Sequence, residues 1–379
     1  MKRFWLFFAI LMALWGVFGG ESAQAAESSL TDDFLEELDL EKIDREFQDL
    51  KGKERIRFTD AVKKLIRGEI PMKPEGIMQI VKDTLFSGLE DSRSTAVRIL
   101  VLLTAAALFS NFVYVFEKSQ AADISFYMMY LCLFTLLMQT FREMAQITMD
   151  ALNQVIAFMK LLMPSYFLAS VFASGSVTGA GFYELTLGML LVVQWVLKYS
   201  VMPAVNLYVL FSMLNHLTKE DYLSKLAELL KTYVEWSLKT LTALAIGLQT
   251  VQTMILPAVD KLKTAAFTKT AGAVPGLGNI FSGVTEVVIG SAVLIKNAVG
   301  AAGLIFLVLL CLIPFLKLGF GSLFYRLLAA AAQPVSDKRM VECVSSVGEG
   351  AGLLMKILFM VGALFFISVA MVTASVTGG

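Results

Sequence analysis

Apolar and polar positions divide this chain into two regimes. From Thr95 onward apolar runs dominate: Thr95 to Phe116, Ile124 to Phe141, Ala151 to Phe172, Tyr183 to Leu214, Tyr233 to Leu256, Ile280 to Phe315 and Gly350 to Val372. A helix needs ~20 predominantly apolar residues to cross a bilayer, so these runs predict membrane-spanning helices. Lys160 and Pro164 interrupt the third run. The fourth is too long for one straight span, and Pro203 is expected to kink it or to end its membrane part. Pro257 is expected to end the fifth. Ile280 to Phe315 divides into two tight spans joined around Lys296 to Gly303, or into a re-entrant segment plus one span. The pattern predicts an all-α, polytopic helical integral membrane domain over 95–379 with eight spans; six or seven are the alternatives.

Ahead of Thr95 the pattern changes twice. Lys2 and Arg3 precede an apolar stretch from Phe4 to Phe18, broken by Gly19 and Gly20 and followed by Ala23-Gln24-Ala25. That order predicts a signal peptide over 1–25, cleaved after Ala25, with an uncleaved anchor as the alternative. Either way residues 26–94 are expected on the outer face as a charged, helical, extracytoplasmic segment. Thr31-Asp32-Asp33 reads as a helix start, with Phe34, Leu35, Leu38, Ile43 and Phe47 at helical spacing. Thr59 is the expected cap of a second helix with Ala61, Val62, Leu65 and Ile66 on one face, and Pro71 and Pro74 end it. A third helix is expected from Glu75 through Ile77, Ile80, Val81, Leu85 and Leu89. Such stripes serve either as a cap on the membrane or the spans, or as a docking surface for an extracytoplasmic partner.

Composition supports the division. The chain is 57% hydrophobic and 17% charged, against about 25% charged in soluble domains. Residues 26–95 hold 17 of its 32 acidic residues, which leaves the remainder strongly apolar. A net charge of zero supplies no field that would attract nucleic acid. Cys132, Cys311 and Cys343 have no paired spacing, so three free thiols are expected, with no disulfide framework and no zinc site. If the first span enters from outside, the inner links carry Lys118, Lys261, Lys263, Lys269, Lys317, Arg326, Lys338 and Arg339. The outer ones carry Arg142, Lys219, Lys225 and Lys231, a bias that follows the positive-inside rule.

Two glycine-rich breaks stand out. Ala173 to Gly181 contains Gly175, Gly179 and Gly181; Thr270 to Asn279 contains Gly272, Pro275, Gly276, Gly278 and Asn279. Each follows a proline-bearing run and precedes a helix with a lysine, Lys198 in one case and Lys296 in the other. The spacing is that of a degenerate internal repeat, and broken helices in matching positions point to a transport pathway, because irregular backbone survives at membrane depth only where it is shielded. Two flexible loops with coincidental spacing are the alternative. Lys160, Glu184, Lys198, Lys239, Glu286 and Lys296 are the intramembrane charges, each a candidate functional group or a residue that reaches the headgroups. Glu235 and Lys239 are spaced to pair on one helix face. No catalytic residue, cofactor motif or metal cluster emerges. A dyad of Ser174 or Ser176 with His216, the chain's one histidine, lacks the surrounding signature of a hydrolase.

The block Lys269 to Asn279, followed by Lys296-Asn297-Ala298-Val299-Gly300-Ala301-Ala302-Gly303, resembles the stage III sporulation protein AE family of endospore-forming bacteria. Signal sequence, charged exported segment and length are similar too, so the resemblance covers the whole chain. Gly276-Leu277 departs from it, standing where a bulkier pair is expected. The resemblance implies a mother-cell membrane subunit of the channel or export apparatus that joins mother cell and forespore and sustains the forespore after engulfment. The implied partners are other stage III sporulation membrane proteins, a cytosolic ATPase and extracytoplasmic ring-forming proteins. No cofactor is implied, and the family supplies no catalytic residue to carry over. The competing expectations are a free-standing secondary transporter for a small solute and a purely structural scaffold.

Overall fold

In a computed structural model the chain is described over residues 40–46, 57–71, 74–115, 120–174, 178–217, 220–271 and 278–377. The signal peptide and the first part of the expected exported segment lie outside these residues, as do Gly175, Pro275 and Gly276. The described residues form helices and no strands: α1 (Glu41–Glu46), α2 (Phe58–Ile66), α3 (Pro74–Val115), α4 (Gln120–Ser174), α5 (Thr178–Val196), α6 (Met202–Asn215), α7 (Ser224–Ala271), α8 (Gly278–Ala332) and α9 (Lys338–Thr377). Among the described residues, four segments are long and apolar enough to cross a membrane: Ile124–Ser170, Gly188–Asn215, Gly290–Ala332 and Lys338–Val369.

Several predicted boundaries disappear. The runs Ile124 to Phe141 and Ala151 to Phe172 form one unbroken helix of 55 residues, and the polar stretch around Arg142 and Asp150 is helical rather than a link. Lys296 to Gly303 likewise lies inside α8, so Ile280 to Phe315 is neither two tight spans nor a re-entrant segment. The runs starting at Thr95 and Tyr233 are helical, but α3 and α7 are not among the four apolar candidates. α3 passes through the expected boundary at 94/95 without a break. At 1.5 Å per residue, a 55-residue helix is ~80 Å long, far more than the ~30 Å hydrocarbon core.

The prolines act less sharply than expected. α4 continues past Pro164 to Ser174, and α7 past Pro257 to Ala271. A proline removes one backbone donor, and packed neighbours hold the helix on either side of it. Pro203 is accommodated by a π-helical turn, Leu197–Val201, in which the Met202 N–H donates to the Leu197 carbonyl five residues back. The extra residue relieves the clash between the proline ring and the preceding turn, and α5 and α6 continue as one long element.

Side-chain contacts set the helix directions. Met144 meets Gly321, Phe158 stacks on Phe306, and Leu162 meets Gly303, so α4 and α8 are antiparallel. α8 and α9 form an antiparallel hairpin whose tight turn at Gln333–Asp337 is closed by Ser336 N–H to Ala332 O (2.9 Å). α9 runs parallel to α4, with Arg339 over the Phe126 ring (3.8 Å) and Gly350 against Phe141. It also runs parallel to α7, which Lys231–Glu349 and Glu235–Lys356 establish, and antiparallel to α6. Thus α4, α7 and α9 point one way, α5–α6 and α8 the other. The α6–α7 and α8–α9 links share one end of the bundle, and His216 Nδ1 lies 3.1 Å from Glu342 across them. This corrects the predicted sidedness, which put Lys225 and Lys231 opposite Lys338 and Arg339.

The core is apolar and continuous, built from one stripe of α4 (Tyr130, Leu133, Leu137, Phe141) against α8, α9 and α6. Two small helices are clamped onto it. Phe58 of α2 is buried edge-on against Phe158 and Phe306, with Ala61 and Val62 beside it. The cap of α2 is not the predicted Thr59 but Asp44 of α1: its carboxylate accepts from the Phe58 N–H (2.5 Å) and the Thr59 hydroxyl (2.6 Å). α2 ends at Gly68, whose φ of 73° allows Gly68 N–H to reach Leu65 O and Glu69 N–H to reach Lys64 O. That is the Schellman pattern, and Pro71 follows it.

Candidate functional site

Of the two glycine-rich segments, residues 175–177 and 272–277 lie outside the described residues. Gly179 and Gly181 belong to the start of α5, and Gly278 and Asn279 to the first turn of α8. Because of the helix directions, the described residues that flank these segments, Ser174, Thr178, Ala271 and Gly278, lie at the end of the bundle opposite the α8–α9 turn. The two lysines of the apparent repeat have different surroundings. Lys198, in the π-helical turn, donates to Asn153 Oδ1 of α4 (3.2 Å) beside the Tyr199 ring. Lys296 is 0% exposed within a stretch of α8 buried on every side through Val299, Gly300 and Ala302. Lys296 precedes Gly303 by two turns, and Gly303 meets Leu162, so Lys296 is level with Ala169 of α4. The two lysines are thus ~24 Å apart along that helix. The structure does not bring them to one site.

Lys160 and Lys239 are exposed. Glu235 does not pair with Lys239 as its spacing suggests; it accepts from Lys356 of α9 at 2.6 Å. Ser174 of α4 and His216 beyond α6 lie at opposite ends of the bundle, and Ser176 lies outside the described residues. All three cysteines are free thiols, Cys311 and Cys343 buried and Cys132 exposed. No group of three or more metal-ligating side chains occurs among the described residues.

The polar chemistry collects elsewhere, where α6, α7, α8 and α9 meet. The Glu349 carboxylate accepts from Tyr208 Oη of α6 (2.6 Å) and from Lys231 Nζ of α7 (2.7 Å), and Lys231 also lies over the Tyr208 ring. The Arg326 side chain approaches Gly348, the residue before Glu349, and Gly352, about one turn after it. Toward the α8–α9 turn come Ser212–Ser346 (2.9 Å) and then His216–Glu342, with Lys338 also on Glu342 (3.7 Å). Toward the other end come Glu235–Lys356, then Gln249 donating to Ser368, and Thr186 donating to Gln252 (2.8 Å). His216 sits in the link beyond α6. Burial holds its imidazolium below the usual range, against the opposing pull of Glu342, Asp221 and Glu349.

Sequence reading missed Glu349, Lys231 and Arg326 because each lies in a stretch that reads as a span end or a link, and it passed over Lys356 inside the last apolar run. One signal was present: Glu342, Ser345, Glu349, Gly352 and Lys356 recur at three to four residues, a polar stripe on an otherwise apolar helix.

The fold and this ladder of polar pairs define a class, a helical membrane protein whose long helices pair their charges with one another. The stage III sporulation protein AE family model matches residues 56–376, and the chain belongs to that family. A relative, stage III sporulation protein AE of Bacillus subtilis (strain 168), is 22% identical over 309 residues, covering 81% of this chain and 77% of its own length. No solved structure matches. The protein is therefore a sporulation protein of the membrane.

Proposed function

We propose that the chain is a non-enzymatic membrane subunit of the channel or export apparatus between mother cell and forespore, resident in the mother-cell membrane around the forespore. In this role it is delivered by the N-terminal signal peptide and places residues 26–94 on the outer face. Its partners are other stage III sporulation membrane proteins, a cytosolic ATPase and extracytoplasmic ring-forming proteins. The observation that carries this is family membership over 56–376, which takes in α2 and the whole bundle. The bundle supports it: a membrane body ~80 Å long reaches beyond a bilayer and offers surface to partners on either side. A secondary transporter would need its two broken-helix halves to converge on one site, and Lys198 and Lys296 lie far apart.

The test is affinity purification from sporulating cells combined with gene deletion. Co-recovery of the ATPase and ring partners, with forespore development stopping after engulfment in the deletion strain, is the expected result. A deletion strain that completes spores normally, or purified protein that moves a solute across liposomes without partners, would overturn it.

A further inference from the structure

An exposed apolar face of α4 and the polar seam between α7 and α9 lie at the same depth. On α4, Ile124, Tyr127, Met128 and Leu131 are exposed while Tyr130, Leu133, Leu137 and Phe141 are buried, the pattern of a helix with one face in hydrocarbon. Direct contacts set the level of this run against α9: Phe126 meets Arg339, and Phe141 meets Gly350. Across the bundle at that level stand Glu342, Glu349, Lys231 and Arg326. Lys231 and Glu349 side chains are 41% and 38% exposed, and those of Lys356 and Glu235, a little further along, 38% and 35%. Charges so open at membrane depth are costly against lipid, by ~2.5–3.5 kcal/mol each on insertion scales.

α7 is built for such a position. Ala227, Val234, Leu238 and Ala245 face the core, and Leu229, Trp236, Leu244 and Val251 are exposed. Lys231, Glu235, Lys239 and Gln249 occupy the flank between, beside α9. A second observation extends the seam inward. Gln194 of α5 is 4% exposed, and neither its amide oxygen nor its nitrogen has a hydrogen-bond partner among the described residues; the same holds for Gln249 Oε1. Gln194 lies between Thr186 and Ser200, which both bond to α7. Buried amides left unpaired cost about 1–3 kcal/mol each, and internal water removes that cost. From Glu342 to Ser368 the seam covers 26 residues of α9, ~39 Å, more than the hydrocarbon thickness.

We propose that the α7–α9 seam, from His216 and Glu342 through Lys231–Glu349 and Glu235–Lys356 to Gln194 and Gln249, is a hydrated groove that lines an aqueous path through the membrane. It deepens the channel reading and rests on it for its purpose, while its existence is a property of the chain alone. Lys, Arg and Glu alternate along it, so the groove takes water and hydrated solutes without one sign of charge. Lys296 lies outside its walls.

The test is cysteine accessibility in the full chain, expressed in membranes open on both sides, in a Cys132→Ser background. A charged, membrane-impermeant methanethiosulfonate is the probe. Ser345→Cys, Glu349→Cys, Lys356→Cys and Gln249→Cys are compared with Ile124→Cys, Met128→Cys and Leu131→Cys. Ser345 holds no ion pair, so it reports the groove even if Glu349→Cys fails to fold. Seam positions labelling at least tenfold faster than the α4 positions is the expected result. Equal, slow labelling of both sets overturns the proposal, as does seam labelling that appears only after detergent extraction. Seam labelling in a chain dispensable for sporulation would sink the apparatus and leave the groove standing.

Discussion

Glu349 shows how one side chain is held by three helices. Tyr208 and Lys231 both donate to it, and Glu349→Gln keeps the shape while removing the charge. With both partners about two-fifths exposed, the expected loss is about 1 kcal/mol, read as a lower unfolding midpoint in detergent. Lys231→Met on top of Glu349→Gln should add little, because the pair is already broken; full additivity of the two losses would mean they do not interact. His216 gives a pH dependence. Its folded pKa lies below the unfolded value of about 6.5, so the folded state binds fewer protons. Its stabilising contribution is complete above that value and is lost as pH falls below it. Thermal unfolding at pH 7.5 and 5.5 should therefore show a larger drop for the native protein than for His216→Gln. An identical drop in both would assign the acid sensitivity elsewhere.

Among the elements, two close approaches decide how the long helices pack. A Cβ on Gly350 of α9 would run into the Val209 methyl and come within 2.7 Å of the Phe141 ring. A Cβ on Gly303 of α8 would meet only the flexible end of Leu162, also at 2.7 Å. Gly350→Ala should cost about 1–3 kcal/mol through overpacking, and Gly303→Ala distinctly less; reversed order in an unfolding series would refute the packing account. The α1–α2 clamp makes a second prediction. Asp44→Ala removes the acceptor of the Phe58 N–H and the Thr59 hydroxyl, at a cost of about 1 kcal/mol. The expected readout is faster protease cleavage between α2 and α3, with the α8–α9 hairpin unaffected. With nine residues α2 would not be stable alone, so docking of Phe58 against Phe158 and Phe306 supplies its order.

At the level of the whole molecule, direction matters more than the number of spans. The α6–α7 and α8–α9 links share an end, so reporters inserted at Glu220–Leu223 and at Gln333–Asp337 should report the same compartment. Opposite compartments would contradict the bundle. The apolar runs were legible from composition, and all of those described are helical. The two glycine-rich segments lie in part outside the described residues, at 175–177 and 272–277. Arg142, Asp150 and the Lys296–Gly303 stretch were misleading. Polar or small residues look like link chemistry, yet they continue a helix: Arg142 and Asp150 do so on its exposed face, and Leu162 covers Gly303.

The sequence by itself determined that the chain is helical, membrane-embedded and a member of the sporulation family, because those properties follow from local composition and from runs of residues read in order. Only the tertiary structure decided which charges meet. Glu235 had a partner four residues away on its own helix and took one 121 positions later on α9, and Asp44 replaced Thr59 as the cap of α2. Spacing along one helix fixes which side chains share a face. Which neighbour that face meets depends on the order and direction of packing, set by the burial of stripes distant in sequence and by glycines such as Gly350 that let helices approach.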